Sequence, residues 1–300
     1  MTESAQSPVR GWQAFRTVLE MIKFEHSIFA LPFAMLGMMW GSQSIDGNGW
    51  PGGAKVLWIV VAMVSCRSAA MAFNRIADRD IDAKNPRTRM RALPAGLLKL
   101  RQVNLFLLGS IAIFVLAAAM LNPLALALSP IALLVTLGYS LSKRFTPLCH
   151  LILGLSLGIA PAAAWIGVTG KLDTAVLWLT AAVMGWTAGF DVIYSLQDEE
   201  FDREQGLFSL PQSLGKARAL MVSRGLHLLA IGCLIGAGYA VGAGLAYYVG
   251  VTVAAALLGY EQSLVKPDDL SRVDLAFFTL NGFVSIGLFV FALIDGVIRA

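Results

Sequence analysis

The chain has 300 residues, of which 57% are hydrophobic and only 14% are Asp, Glu, Lys or Arg, with a mean hydropathy of +0.70. A soluble domain of this size is nearer half apolar and about a quarter charged, so the composition excludes a soluble globular protein and points to a polytopic membrane protein. The net charge of +4 belongs to the segments between the apolar runs, which speaks for membrane topology and contact with anionic lipid and against nucleic-acid binding.

In chain order, the apolar residues come in runs of about twenty, the length an α-helix needs to cross ~30 Å of hydrocarbon. A cytoplasmic segment at 1–24 precedes nine expected spans at 25–43, 54–74, 104–121, 124–142, 149–168, 174–195, 220–241, 244–260 and 275–297. The expected architecture is thus all-α, a single integral-membrane domain over residues 1–300. The first run is not read as a cleavable signal, because about 25 polar residues precede it and no small-residue cleavage site follows a short apolar core. Pro32, Pro130 and Pro161 fall inside expected spans, which packed neighbours tolerate in a bundle.

With the N-terminus in the cytoplasm, only Lys55, Lys171 and Arg299 of the 23 Lys and Arg residues fall outside, and Arg67 lies within a span. That asymmetry is what the positive-inside rule requires. Cys66, Cys149 and Cys233 are scattered and show no zinc or disulfide spacing, so they are read as small buried thiols. His26, His150 and His227 are isolated along the chain; His26, at the start of the first span, either borders a site or sits at the interface. The small-residue pairs Gly37/Gly41, Gly154/Gly158 and Gly232/Gly236 suit close helix packing.

Two segments break the poverty of charge. "FNRIADRDIDAKNPRTRMRALPAG", at 73–96, holds three aspartates and five arginines, and "DVIYSLQDEEFDREQG", at 191–206, holds three aspartates and three glutamates. In the first, Asn74, Asp78 and Asp82 are spaced i, i+4, i+8, which stacks them on one helix face. In the second, Asp198 and Asp202 are i, i+4, with Asp191 and Tyr194 one to two turns deeper. Glu199, Glu200 and Glu204 project off that face and are read as solvated charges. The plain alternative is ordinary loop charge, with Asp78, Asp80 and Asp82 paired to Arg75, Arg79 and Lys84. Two matching stripes leaving the membrane on one side disfavour it.

Stacked carboxylates repel, and the charge is costly where hydrocarbon begins, so a cation is needed there. Hard oxygen ligands suit Mg²⁺, which takes one or two carboxylates, several waters and a substrate phosphate. Two facing stripes would hold a diphosphate through bridging metal, with arginines taking the remaining phosphate oxygens. At a membrane surface that diphosphate implies a lipid tail, and ionising an allylic diphosphate demands stabilisation of the departing anion in a water-poor site.

These residues resemble the UbiA-type membrane prenyltransferases, which attach polyprenyl chains to aromatic rings in quinone and related pathways. The likeness rests on Asn74, Asp78 and Asp82 as N-x-x-x-D-x-x-x-D, and on Asp191, Tyr194, Asp198 and Asp202 as D-x-x-Y-x-x-x-D-x-x-x-D. Arg67 stands seven residues before Asn74, "RTRMRALPAG" is similar to the family's R-T-x-x-R-P-L-P-x-G, and "YSLSKR" at 139–144 matches its third cytoplasmic element. Arg75 stands where the commoner form has a second Asp, and Ala92 where a proline is frequent. The resemblance covers nearly the whole chain and is nearest the branch acting on 4-hydroxybenzoate, or on dihydroxynaphthoate in menaquinone synthesis.

The resemblance implies a Mg²⁺-dependent transfer from a polyprenyl diphosphate to an aromatic acid acceptor at the cytoplasmic face of a bacterial inner membrane. Asp78, Asp82, Asp198 and Asp202 would hold the metal with Asn74 assisting. Arg75, Arg79, Arg87, Arg91, Lys143 and Arg144 would take the diphosphate. Asp191, Tyr194 and Arg67 would line the deeper side for the ring, Asp191 orienting or deprotonating its hydroxyl. Arg67 is otherwise a buried partner of Asp191. Relatives of the same fold that use haem, chlorophyll or lipid acceptors share both motifs. A transporter would instead place its charges near the bilayer midplane.

Overall fold

The computed structural model describes residues 11–22 and 30–299. Among them every regular element is a helix, apart from a single bridge between Lys266 and Asp269. The helices are α1 (Gly11–Met21), α2 (Leu31–Asp46), α3 (Gly53–Ala77), α4 (Arg79–Lys84), α5 (Leu100–Leu121), α6 (Pro123–Ser142), α7 (Cys149–Thr169), α8 (Thr174–Ser195), α9 (Glu199–Gln205), α10 (Leu210–Leu214), α11 (Lys216–Ala240), α12 (Leu245–Leu264) and α13 (Asn281–Arg299). A 3-10 turn at Leu196–Asp198 joins α8 to α9, and a π-helical turn at Leu275–Leu280 leads into α13. Long apolar runs take this form because hydrocarbon offers no partners for backbone N–H and C=O groups, so each segment must bond to itself.

Among the described residues seven stretches are long and apolar enough to span a membrane: α3, α5, α6, α7, α8 continued to Gln205, α11, and Leu275–Arg299. The two remaining expected spans are also helical. α2 has 16 residues from Leu31, and residues 25–29 of the first expected span lie outside the described residues, His26 among them. α12 ends in a polar turn carrying Glu261 and Gln262, which dilutes its apolar character. Pro32 lies in the first turn of α2 rather than inside a helix. Its missing N–H costs nothing there. Pro130 and Pro161 are inside α6 and α7 as expected.

The central core joins α2, α7, α8, α11, α12 and α13 through Phe33, Trp40, Trp165, Trp186, Phe190 and Tyr247. Glycine permits the tightest crossings. A Cβ on Gly154 would collide with the Met184 carbonyl of α8, and one on Gly37 with the Pro161 carbonyl of α7. Gly232, in contrast, faces open space, so its pair with Gly236 is no helix seam. Asn122 caps α6, accepting from the Ala125 N–H at 2.9 Å, and its amide donates to the Ile166 carbonyl at 2.8 Å. One side chain therefore closes a hairpin end and ties it to α7. All three cysteines are free, Cys149 and Cys233 buried.

The segment before the first span is not plain polar chain. In α1, Ala14, Val18 and Met21 recur at helical spacing and pack with Ala69, Ala72, Leu93 and Leu98. The C-terminal ends of α3, α6, α8 and α12 and the N-terminal ends of α5, α7 and α11 share one end of the bundle. Both acidic stripes lie there.

Candidate active site

The two acidic stripes are each carried by a broken helix. α3 stops at Ala77 and α4 restarts at Arg79, yet the Asp78 N–H reaches the Asn74 carbonyl at 2.9 Å and the Asp82 N–H the Asp78 carbonyl at 2.7 Å. The i, i+4 register therefore survives the junction. The second stripe changes pitch at the 3-10 turn between α8 and α9, which carries Asp198. Asp82, Asp198 and Asp202 are buried, and Asn74 donates to Asp78 at 2.8 Å.

Each carboxylate meets a basic group from elsewhere, since a buried unpaired charge costs several kcal/mol. The loop after α4 folds back across the site, burying Asn85, Thr88 and Leu93. It delivers Arg91 to both oxygens of Asp82 at 2.8 and 2.9 Å, and Arg87 to both oxygens of Asp198 at 3.1 and 2.5 Å. Arg87 also donates to the Tyr194 hydroxyl at 2.8 Å, and Asn85 donates to Asp198 at 3.2 Å. Arg75 stands 3.6 Å from Asp82. The end of α6 serves both stripes: Lys143 Nζ lies 2.7 Å from Asp202 and Arg144 3.4 Å from Asp78. Burial, and then Asp82, push the Asp78 carboxyl above its ordinary value. Burial works to lower Lys143, but Asp202 outweighs it and holds the ammonium above its usual range.

Beneath these pairs lies a cavity of about 520 Å³. Asn74, Arg75 and Arg91 line its polar side; Phe190, Asp191, Tyr194, Phe277 and Phe278 line its deeper wall; Thr17 and Glu20 of α1 border it as well. The wall is built from packed rings, with Tyr194 and Phe277 centroids 4.2 Å apart and Phe190 edge-on to Phe277 at 5.2 Å. Asn281 steadies it by donating to the Ala276 and Phe277 carbonyls of the π turn, both at 3.1 Å, and accepting from Trp186 Nε1 at 2.6 Å. A second cavity of about 390 Å³ shares Arg67, Met71, Tyr139, Leu153 and Leu157 with the first and continues among apolar side chains of α3, α5, α6 and α7. Arg67 stands at the junction, its Nε shut from solvent with no hydrogen-bond partner.

The expected residues therefore converge, with exceptions. Arg79 pairs with the exposed Asp80 at 2.9 Å and does not line the cavity. Asp191 is not paired with Arg67: its Oδ2 lies 2.6 Å from His150 Nδ1, so the buried-partner reading of Arg67 is replaced. Glu199 is not a solvated charge but buried, with Arg203 at 2.6 Å and Lys216 at 3.9 Å; Glu200 is exposed. Sequence spacing passed over His150, Asn85, Phe277 and Phe278. His150 had one signal, a lone polar residue at the start of an apolar run, which does not name a partner 41 positions away.

Among the described residues no three carboxylate, His or Cys groups converge as a metal cage. The donor chemistry nevertheless fits Mg²⁺, because each stripe offers two hard carboxylates and leaves the rest of an octahedron to water and phosphate.

The profile of the UbiA prenyltransferase family matches residues 30–284. A curated relative, the 4-hydroxybenzoate octaprenyltransferase of Vibrio atlanticus, is 31% identical over 266 residues, covering 86% of this chain and 93% of its own. The apo structure of a UbiA homolog from Aeropyrum pernix K1 superposes with a TM-score of 0.81 at 36% identity, over 91% of this chain and 98% of that one. A UbiA homolog from Archaeoglobus fulgidus, solved bound to GPP and Mg²⁺, shares the fold with a TM-score of 0.71 at 18% identity, over 94% of this chain and 99% of that one.

Proposed function

The chain belongs to the UbiA prenyltransferase family and is an integral membrane prenyltransferase, and from that premise we propose that it transfers a polyprenyl group from an allylic diphosphate to an aromatic acid, 4-hydroxybenzoate foremost, in quinone biosynthesis. One observation carries the reading. Two carboxylate pairs, each with its basic partners, stand over a cavity that is aromatic at depth and runs on into an apolar channel. A charged head, a ring and a lipid tail each find a matching surface in that order.

The reaction breaks the C–O bond between prenyl chain and diphosphate, forms a C–C bond to the ring, and releases diphosphate and the ring proton. Asp78 and Asp82 with Asn74, and Asp198 and Asp202, would hold Mg²⁺, which when bound would supply positive charge to offset the negative charge building on the departing diphosphate. Arg75, Arg87, Arg91, Lys143 and Arg144 exchange their carboxylate contacts for phosphate oxygens as substrate arrives, a trade open to groups already poised beside both. Arg79, turned outward, leaves that set. The ring lies against Tyr194, Phe277 and Phe278, whose faces stabilise the allylic cation and exclude the water that would quench it. Asp191 accepts from the ring hydroxyl, and Arg67 receives the acid's carboxylate. The tail follows the apolar channel.

α2 and α12 complete nine spans with the seven longer stretches. The site end faces the cytoplasm of a bacterial inner membrane, supported by the placement of Lys55, Lys171 and Arg299 at the opposite end. The test is purified protein given one labelled prenyl diphosphate and a panel of aromatic acids, with dihydroxynaphthoate, haem and a lipid alcohol as competitors. Prenylated 4-hydroxybenzoate is the expected main product. Label transferred to a competitor while every monocyclic acid stays unlabelled would overturn the acceptor assignment.

A further inference from the structure

His150, the second residue of α7, is 2% exposed and faces two groups at once. Its Nδ1 lies 2.6 Å from Asp191 Oδ2, and its Nε2 receives the Leu210 backbone N–H at 3.2 Å. A backbone amide only donates. Nε2 must therefore present its lone pair, and the ring proton sits on Nδ1, directed at Asp191. The Leu210 amide is itself fixed, because the preceding loop bonds Leu207 N–H to the Asp202 carbonyl at 2.8 Å and Phe208 N–H to the Lys143 carbonyl at 2.7 Å. The tautomer of a buried imidazole is thus set by a strand of loop tied to both the second acidic stripe and the end of α6.

We infer that His150 is a positioning residue for the aromatic acceptor: its Nδ1–H engages Asp191 Oδ2 and leaves Oδ1 to accept the ring hydroxyl. Asp191 lines the cavity and its side chain keeps 21% of its exposure, so one oxygen is held from behind while the carboxylate still meets substrate. Without that donor the carboxylate turns freely about its last bond, and the hydroxyl loses a fixed acceptor. The inference rests on the reading of Asp191 as the group that meets the ring hydroxyl.

The competing role for His150 is mechanical, as an anchor for the 207–210 loop through Nε2. Two amide substitutions separate the roles, since an Asn amide falls near the place of Nδ1 and a Gln amide near that of Nε2. Initial rates are measured on the full chain in detergent with Mg²⁺, varying geranyl diphosphate and 4-hydroxybenzoate separately, for His150→Leu, His150→Asn, His150→Gln and Asp191→Asn. His150→Leu is expected to lower kcat by about tenfold or more, the scale of one charge-assisted contact, with KM for the diphosphate unchanged. His150→Asn should restore most of kcat and His150→Gln little. Restoration by Gln and not by Asn, or equal losses in all three, would overturn the Nδ1 assignment in favour of the anchor. Melting curves identify variants that fold poorly, and these are compared at equal folded protein. An unimpaired Asp191→Asn would defeat the reading of Asp191 itself; an impaired Asp191→Asn beside three unimpaired His150 variants defeats only the inference about His150.

Discussion

Removing the guanidinium of Arg67 tests where the acceptor's carboxylate lies. The acid carries a negative charge into a site already holding Asp78, Asp82, Asp191, Asp198 and Asp202, and its binding requires a fixed cation that is not committed to one of them. Arg87 is paired with Asp198, Arg91 with Asp82, Lys143 with Asp202 and Arg144 with Asp78, and Arg75 stands 3.6 Å from Asp82. Arg67 instead stands at the junction of the two cavities with its Nε lacking a partner. It lies seven residues, two helical turns, below Asn74 and so points to the same face. Loss of a charge-assisted contact costs about 1.5–3 kcal/mol, or roughly tenfold to a hundredfold in binding. Arg67→Ala should therefore raise KM for 4-hydroxybenzoate by that factor and leave KM for the prenyl diphosphate within about twofold. Arg67→Lys should recover only part, because a point charge replaces the planar fork. The assay is steady-state kinetics with each substrate varied at saturating levels of the other. An unchanged KM for the acid with a raised KM for the diphosphate would place Arg67 in the donor site and refute the reasoning.

Chelation should abolish transfer and added Mg²⁺ restore it, and Asp78→Ala should be inactive at any Mg²⁺ concentration while melting near the parent temperature; turnover that survives EDTA would remove metal from the mechanism. Cysteines introduced at the exposed Lys99 and Gln205 should react with an impermeant thiol reagent only in opened cells, and those at Asp46 and Lys171 in intact ones; the reverse pattern would move the site to the outside.

What spacing could reveal is set by how far a helix carries information. Asn74, Asp78 and Asp82 were legible as one unit because two backbone bonds hold the i, i+4 register across the α3–α4 break. Arg67 was placed on their face by the same arithmetic. Periodicity did not reveal α1: Ala14, Val18 and Met21 recur over a helix that is short and set among polar residues, and such a helix owes most of its stability to the surface it packs on. Partnerships between helices were out of reach. Arg87 meets Asp198 across 111 positions and His150 meets Asp191 across 41, and no local pattern encodes which loop folds over which helix end. The same blindness turned Glu199 into a solvated charge: Arg203 is its i+4 neighbour on α9, but the burial of Glu199 and the approach of Lys216 from the next span are not encoded locally.

The crowding of opposite charges at residues 73–96 has a cause in both states of the site. On the proposed reading the carboxylates would share metal with a diphosphate and the arginines would take phosphate, and either set would be too costly to bury unpaired. Folding the arginine-bearing loop onto both stripes neutralises the two sets against each other while each remains within reach of the ligand it is meant for. Arg87 ties the loop to the second stripe specifically, reaching Asp198 and the Tyr194 hydroxyl, so on the proposed reading a diphosphate that drew Arg87 away would also free that hydroxyl beside the acceptor. On that reading donor and acceptor binding would be linked through one side chain, and the expected outcome in two-substrate kinetics is an ordered reaction in which the diphosphate binds first.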